Sequence, residues 1–245
     1  DRDVTGVQTC ALPICGNSSQ DSGKKTPDAT NDKEDTKFIT IATGGTAGTY
    51  FPLGGAFADI WQNNIKGVNS STQSTGASVA NVNLLKDDKV DVIFVQNDIA
   101  YYAANGTEMF KDNKYGEIKG LTCLYPETVQ IVTLEDKGII SVDDLKGKKV
   151  AVGAAGSGAE ANARQILEAA GITYKDIDAQ YLSFAEAASN LKDGNIDAAF
   201  LTAGFPTAAV QDIAAQHKVI LVPVEDSFAD KLIEKYPFYT KTVVP

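Results

Sequence analysis

Four short stretches of glycine, serine and threonine carry most of the chemistry this sequence can offer. They are Thr43-Gly44-Gly45-Thr46-Ala47-Gly48-Thr49-Tyr50, Ser74-Thr75-Gly76-Ala77-Ser78, Gly156-Ser157-Gly158-Ala159-Glu160 and Thr202-Ala203-Gly204-Phe205-Pro206. Glycine lets backbone N–H groups come close to a ligand, and the free N–H groups at a helix start favour an anion. Hydroxyl groups add donors that can rotate to suit it. In open parallel sheets such turns collect at the carboxyl ends of the strands, where ligands bind. GGTAGT lacks the GK[ST] ending of a phosphate-binding loop, and GxGxxG occurs in none of the four, so a nucleotide is not the expected ligand.

The groups needed for catalysis are sparse. His217 is the only histidine, it ends a polar stretch, and it reads as a surface residue. One histidine with no partner in sight does not build a Ser-His-Asp or Cys-His arrangement. The cysteines are Cys10, Cys15 and Cys123, without a CxxC spacing or a Cys/His cluster, so no metal and no cofactor is expected. Cys123 lies in the apolar run Leu121–Leu124 and reads as a buried, inert thiol. Beyond the first residues Arg164 is the one arginine, and it sits inside a helical stretch, so a guanidinium fork is not the obvious carboxylate holder. Neutral amides and hydroxyls must do that work. Glu127 lies where the chain crosses between halves and is either a holder for a ligand ammonium or a solvated loop acid. Tyr50, Tyr101 and Tyr125 either wall a cleft or pack into the core.

The elements that would position these turns alternate. Phe38–Ala42, Val90–Gln96, Leu121–Leu134, Lys149–Gly153, Ile196–Leu201 and Val219–Val222 read as strands, and the continuous apolar run of Val90–Gln96 suits a strand buried on both faces. Leu53–Asn63 reads as a helix, and so does Glu160–Ala170, which Gly171 stops. This rhythm implies α/β units around parallel sheets. The stretch from Leu85 to Val95 matches that from Leu191 to Leu201 at constant offset, and the first glycine turn echoes Gly153–Glu160. Two lobes with one ground plan follow, and a cleft between them is the natural site.

Composition agrees with that class. The chain has 245 residues, is 43% hydrophobic and carries a formal net charge of -10, which argues against nucleic acid as a partner. No run of about 20 apolar residues is present to span a bilayer. Asp1–Ile14 resembles a translated sequencing adapter, reads as a non-native leader and is set outside the fold. Residues 15–37 form a polar tether that opens on Cys15, in the manner of a lipidated lipoprotein start. Residues 38–124 are assigned to the first part of lobe 1, 125–218 to lobe 2, and 219–245 to an incomplete return to lobe 1.

Several collinear segments resemble the TAXI branch of TRAP transporter solute receptors. They are ATGGTAGTYFPLGG from Ala42, STGAS followed by NVNLL from Ser74, VQNDIAYYAANG from Val95 and LYPETVQIV from Leu124. The series continues with SVDDLKGKKVAVGAAGSGAEANARQILEAAG from Ser141 and YLSFAEAASNLKDGNIDAAFLTAGFPTAAV from Tyr181. The similarity runs from Phe38 to Pro245. It implies a type II periplasmic-binding-protein fold, α/β in class, with a ligand such as glutamate, glutamine or 2-oxoglutarate held between the lobes. It also implies a TRAP permease as partner. The ligand-binding residues it suggests are Thr46, Gly48, Thr49 and Tyr50, then Thr75 and Ser78, then Gln96, Glu127, Ser157, Gly158, Thr202 and Gly204. Ala159 stands where relatives commonly carry threonine, and relatives continue well past Pro245, so the chain is expected to lack part of lobe 1. The expectation is therefore an extracytoplasmic monomeric receptor, periplasmic or anchored to the bacterial membrane by lipid on Cys15. Its alternatives are a receptor for an ABC importer or a sensor on the same fold, with an enzyme the remote case.

Overall fold

The structure, a computed structural model, describes residues 36–244 and, before them, the backbone of Thr5–Cys15. In chain order the elements begin with β1 Thr5–Cys15, β2 Lys37–Ala42, α1 Tyr50–Asn64, β3 Val68–Gln73, α2 Ser78–Lys86, β4 Val92–Gln96 and α3 Asn97–Asn105. They continue with β5 Lys119–Gly120, β6 Pro126–Leu134, β7 Lys149–Ala151, α4 Gly158–Ala169, β8 Asp178–Gln180, α5 Phe184–Lys192 and β9 Ala198–Ala203. The last four are α6 Ala208–Ala214, β10 Val219–Leu221, α7 Asp226–Lys235 and β11 Thr240–Val243.

The two halves share one topology. In the first, β2 is the middle of three parallel strands, between β3 and β4. In the second, β7 lies in the same way between β8 and β9. Each half therefore reads strand, glycine turn, helix, strand, helix, strand, the plan that the repeated sequence segments imply. Every residue of β4 and of β9 is buried, as a central parallel strand covered by helices on both faces requires. Phe94 anchors one side of β4 through edge contacts with Phe57 and a tilted contact with Tyr50. Ile93 and Val95 point to the other side and join the main core with Val129, Ile131 and Phe200.

β6 is the crossing strand. It pairs antiparallel with β9 of the second lobe, and β10 adds to its length antiparallel at Leu134–Val132. The strand expected over Leu121–Leu134 thus starts only at Pro126, because residues 121–125 are irregular and largely exposed. The return segment beyond Val219 first pairs with β6, then lays α7 along α4. It reaches lobe 1 through Phe238, whose ring meets Tyr101 and Tyr102 of α3.

Within the stretch read as a non-native leader, and on into Cys15, the backbone of Thr5–Cys15 is a strand. It runs antiparallel to β4 at Ala11–Cys15 and to β6 at Val7–Cys10, and it joins the two sheets. β4 and β6 each have a ladder edge to satisfy there, and an extended segment satisfies both. Cys123 is not a buried thiol: it is exposed in the irregular run and disulfide-bonded. Of the tether assigned to residues 15–37, residues 16–35 lie outside the described residues, as does the Cys15 side chain with any lipid on it, and β2 already begins at Lys37.

Candidate functional site

The first, second and third glycine turns converge with the start of α5 on a cavity of about 70 Å³ between the lobes. Gly48, Thr49 and Tyr50 line it from the β2–α1 turn, and Thr75 and Ser78 from the β3–α2 turn. Ser157 and Gly158 face them from the β7–α4 turn of the other lobe. Gln96, Glu127 and Thr202, at the ends of β4, β6 and β9, complete this set. Thr46 and Gly204 are not in it. Thr46 is exposed on its turn, and a Cβ added at Gly204 would lie 3.4 Å from the Tyr125 ring. Tyr101 is also elsewhere, half out in solvent against Phe238.

Glu127 is not a solvated loop acid. It is 3% exposed, and its two carboxyl oxygens accept from the Tyr50 hydroxyl at 2.9 Å and the Tyr125 hydroxyl at 3.0 Å. Burial pushes its acid constant up to about 8; the tyrosine hydrogen bonds oppose this and the charge of Asp98 adds to it. The hydroxyl of Ser78 hydrogen-bonds Tyr50, and that of Thr49 hydrogen-bonds Tyr125. Four hydroxyl groups are thus organised around one carboxyl. Burial raises Tyr50 and Tyr125 well above the ordinary phenol value, so both keep their protons. Arg164 faces Glu108, Glu160 and Glu168 at 3.8–4.0 Å on the surface of α4, outside the cavity.

Several expected ligand donors are already committed. The Thr75 hydroxyl donates to the Thr43 carbonyl at 2.8 Å and accepts from the Ala77 N–H, which fixes the turn. The Thr202 hydroxyl donates to Asn162 Oδ1 at 3.0 Å. The N–H groups of Val79 and Ala80, in the first turn of α2, donate at 3.1 and 3.0 Å to the carbonyl of Gly156 in the opposite lobe. That helix start is therefore capped by the protein across the cleft. The first turn of α4 differs: Ser157 accepts from Glu160 N–H at 3.1 Å, and helix geometry leaves the N–H groups of Gly158 and Ala159 without intrahelical partners.

Behind the cavity lies a buried polar hub of which the sequence analysis names Gln96 but not Asn162 or Gln165. Asn162, on α4, accepts from Gln96 Nε2 at 2.6 Å and donates to Asp98 Oδ2 at 3.1 Å, both in lobe 1. Burial lifts Asp98 to about 6, against hydrogen bonds from Ile99 and Asn162 that lower it. Gln165 beside it donates to the Tyr102 hydroxyl at 3.2 Å. Ser183 and Phe184 are further lining residues missed as site residues. Their sequence signal was the Ser183-x-x-Glu186 capping box that starts α5. Among the described residues no group of three or more acidic, histidine or cysteine side chains could hold a metal.

The same stretch of chain is matched by a family model. The NMT1-like model covers residues 41–245, which includes every residue that lines the cavity. The chain belongs to the NMT1-like family. Several solved structures are similar in fold to this NMT1-like chain. The alkanesulfonate-binding protein SsuA from Xanthomonas axonopodis pv. citri, bound to MOPS, matches at 16% identity and TM-score 0.50 over 76% of this chain. A putative L-cystine ABC transporter from Listeria monocytogenes matches at 18% and 0.53, over 81% of this chain and 88% of its own. An ABC uptake transporter substrate-binding protein from Streptococcus pneumoniae with bound histidine matches at 17% and 0.52, over 83% and 93%. The NMT1-like chain spans 60% of the length of the sulfonate-binding protein. At these identities the likeness establishes the fold, that of type II periplasmic binding proteins.

Proposed function

We propose that this chain is an extracytoplasmic solute receptor that closes its lobes on a small carboxylate-bearing molecule and delivers it to a TRAP-type membrane permease. The observation that carries the reading is the cavity itself. It is small, it lies between lobes of one topology, and both lobes contribute to its wall. A solute that bridges such walls stabilises the closed form, because only that form satisfies its contacts on both sides. Gly48, Thr49, Tyr50, Ser78, Gln96, Glu127, Ser157 and Gly158 are the residues assigned to contact it. Glutamate, glutamine and 2-oxoglutarate are the ligands that the TAXI resemblance suggests, and lipid on Cys15, which requires cleavage before that residue and loss of Thr5–Ile14 from β1, would hold the receptor at the membrane.

An ABC importer is the second reading for the partner. It is favoured by the descriptions of the Listeria and Streptococcus proteins of the same fold. Binding rather than turnover is supported by Glu127, whose carboxyl is held by two tyrosine hydroxyls instead of a base–nucleophile pair.

Native mass spectrometry of the purified protein tests the receptor reading: a bound solute of small mass is expected, released on mild activation. Titration calorimetry with small carboxylates and amino acids follows it, and a folded protein that binds none of them removes the reading. Affinity capture from solubilised membranes decides the partner, with a TRAP permease expected and an ABC permease overturning that part alone.

A further inference from the structure

Glu127 is an acid in a place where an acid alone is unfavourable. It is buried, and among the described residues that line the cavity none is a lysine, arginine or histidine. Its surroundings are nonetheless arranged for a carboxylate. Both oxygens accept tyrosine O–H groups, and Ser78 and Thr49 support those tyrosines from behind. A buried carboxyl with hydrogen bonds but no counter-charge keeps its proton unless a cation joins it, and the remaining empty space beside it is the ligand cavity.

The opposite wall is arranged for an anion. α4 spans 12 residues, and Gly158 and Ala159 at its start, whose N–H groups have no intrahelical partner, line the same cavity. One end of the space thus suits an ammonium and the other a carboxylate. No cationic side chain is at hand for a second ligand carboxylate.

Resting on the receptor reading above, we propose that the ligand is a zwitterionic α-amino acid with an uncharged side chain, its ammonium on Glu127 and its carboxylate at the start of α4. Oxo acids and dicarboxylates are then poor ligands, glutamate and 2-oxoglutarate among them.

The sign of the pH dependence separates the alternatives. Glu127 without ligand holds its proton up to about pH 8. An ammonium needs the ionised form, so binding expels a proton and affinity rises toward pH 8, by at most about tenfold per unit. An oxo acid needs the protonated form as a donor, and its affinity falls over the same range. The other titratable groups facing Glu127 are Tyr50 and Tyr125, which stay protonated here, and Asp98, which titrates near 6. The window from pH 6.5 to 8 therefore reports on Glu127.

The experiment is titration calorimetry of the whole chain with L-alanine, L-serine, pyruvate, L-glutamate and 2-oxoglutarate across that window. Alanine or serine is expected to bind about 10- to 100-fold tighter than pyruvate, with affinity rising with pH. Glu127→Gln should lose about tenfold or more in affinity for the amino acid and flatten the slope, while its melting transition shows it folded. Tighter binding of pyruvate or 2-oxoglutarate, or an affinity that falls as pH rises, overturns the ammonium assignment and leaves the receptor reading in place. Binding of no solute by folded protein overturns both.

Discussion

A Cβ added to Gly158 would lie 1.5 Å from Gln96 Oε1, so the absence of a side chain there is what lets the two lobes meet. Gly158→Ala must push Gln96 away from Asn162 or hold the lobes apart. The expected cost is about 1–3 kcal/mol in urea unfolding, together with weaker ligand binding. Glu127 makes a prediction of opposite character. Its folded-state constant of about 8 stands above the ordinary 4.5, so its contribution favours folding fully below about pH 4.5 and is lost as pH rises through 8. Asp98, raised from 3.8 to about 6, acts with the same sign at lower pH. Ligand-free protein should therefore lose stability between pH 5 and 8.5. Glu127→Gln should remove most of that loss above pH 6.5, as followed by denaturant midpoints; an unchanged slope would contradict the burial of this acid.

The elements hold these residues through ordinary local chemistry. Ser183 and Glu186 form a reciprocal cap on α5, with Ser183 N–H donating to Glu186 Oε2 at 2.8 Å and Glu186 N–H to Ser183 Oγ at 3.3 Å. Ser183→Ala should cost about 1 kcal/mol, read as a lower midpoint in denaturant. It should also shift Phe184, which packs 3.5 Å from the position a Gly48 side chain would take. Phe94 is 1% exposed at the centre of β4, so Phe94→Ala should cost about 3–5 kcal/mol, and a loss under 1 kcal/mol would deny that strand its central place. α2 shows how an element can be claimed by its neighbour. Its start looked in the sequence like an anion site, but the Gly156 carbonyl of the other lobe occupies it.

At the scale of the molecule, closure is held by polar contacts that cross between lobes: Gly156 with α2, Gln96 with Asn162, and Asn162 with Asp98. Asn162 is fully buried, and its removal leaves Gln96, Asp98 and Thr202 short of partners. Asn162→Ala should lower stability by about 1–3 kcal/mol for each group left unsatisfied. It should weaken ligand binding more than Leu167→Ala does, since Leu167 is equally buried within α4 but makes no side-chain hydrogen bond. Equal losses of affinity in the two variants would make Asn162 a stability residue only.

The sequence by itself determined the α/β class, the duplicated ground plan and the glycine turns, because apolar runs, hydroxyl-rich turns and repeated segments are local properties of the chain. β4 and β9 were legible for that reason, down to their burial on both faces. β3 was not: VNSSTQ carries little apolar signal and is a strand because β2 pairs with it. Only the tertiary structure decided which donors are free. Thr75 and Thr202 look the same in the sequence as Ser157, yet neighbours far along the chain engage their hydroxyls. It also decided that Glu127 is buried among tyrosines and that Asn162 joins the lobes, since desolvation and hydrogen-bond partnership depend on residues brought together from distant parts of the chain.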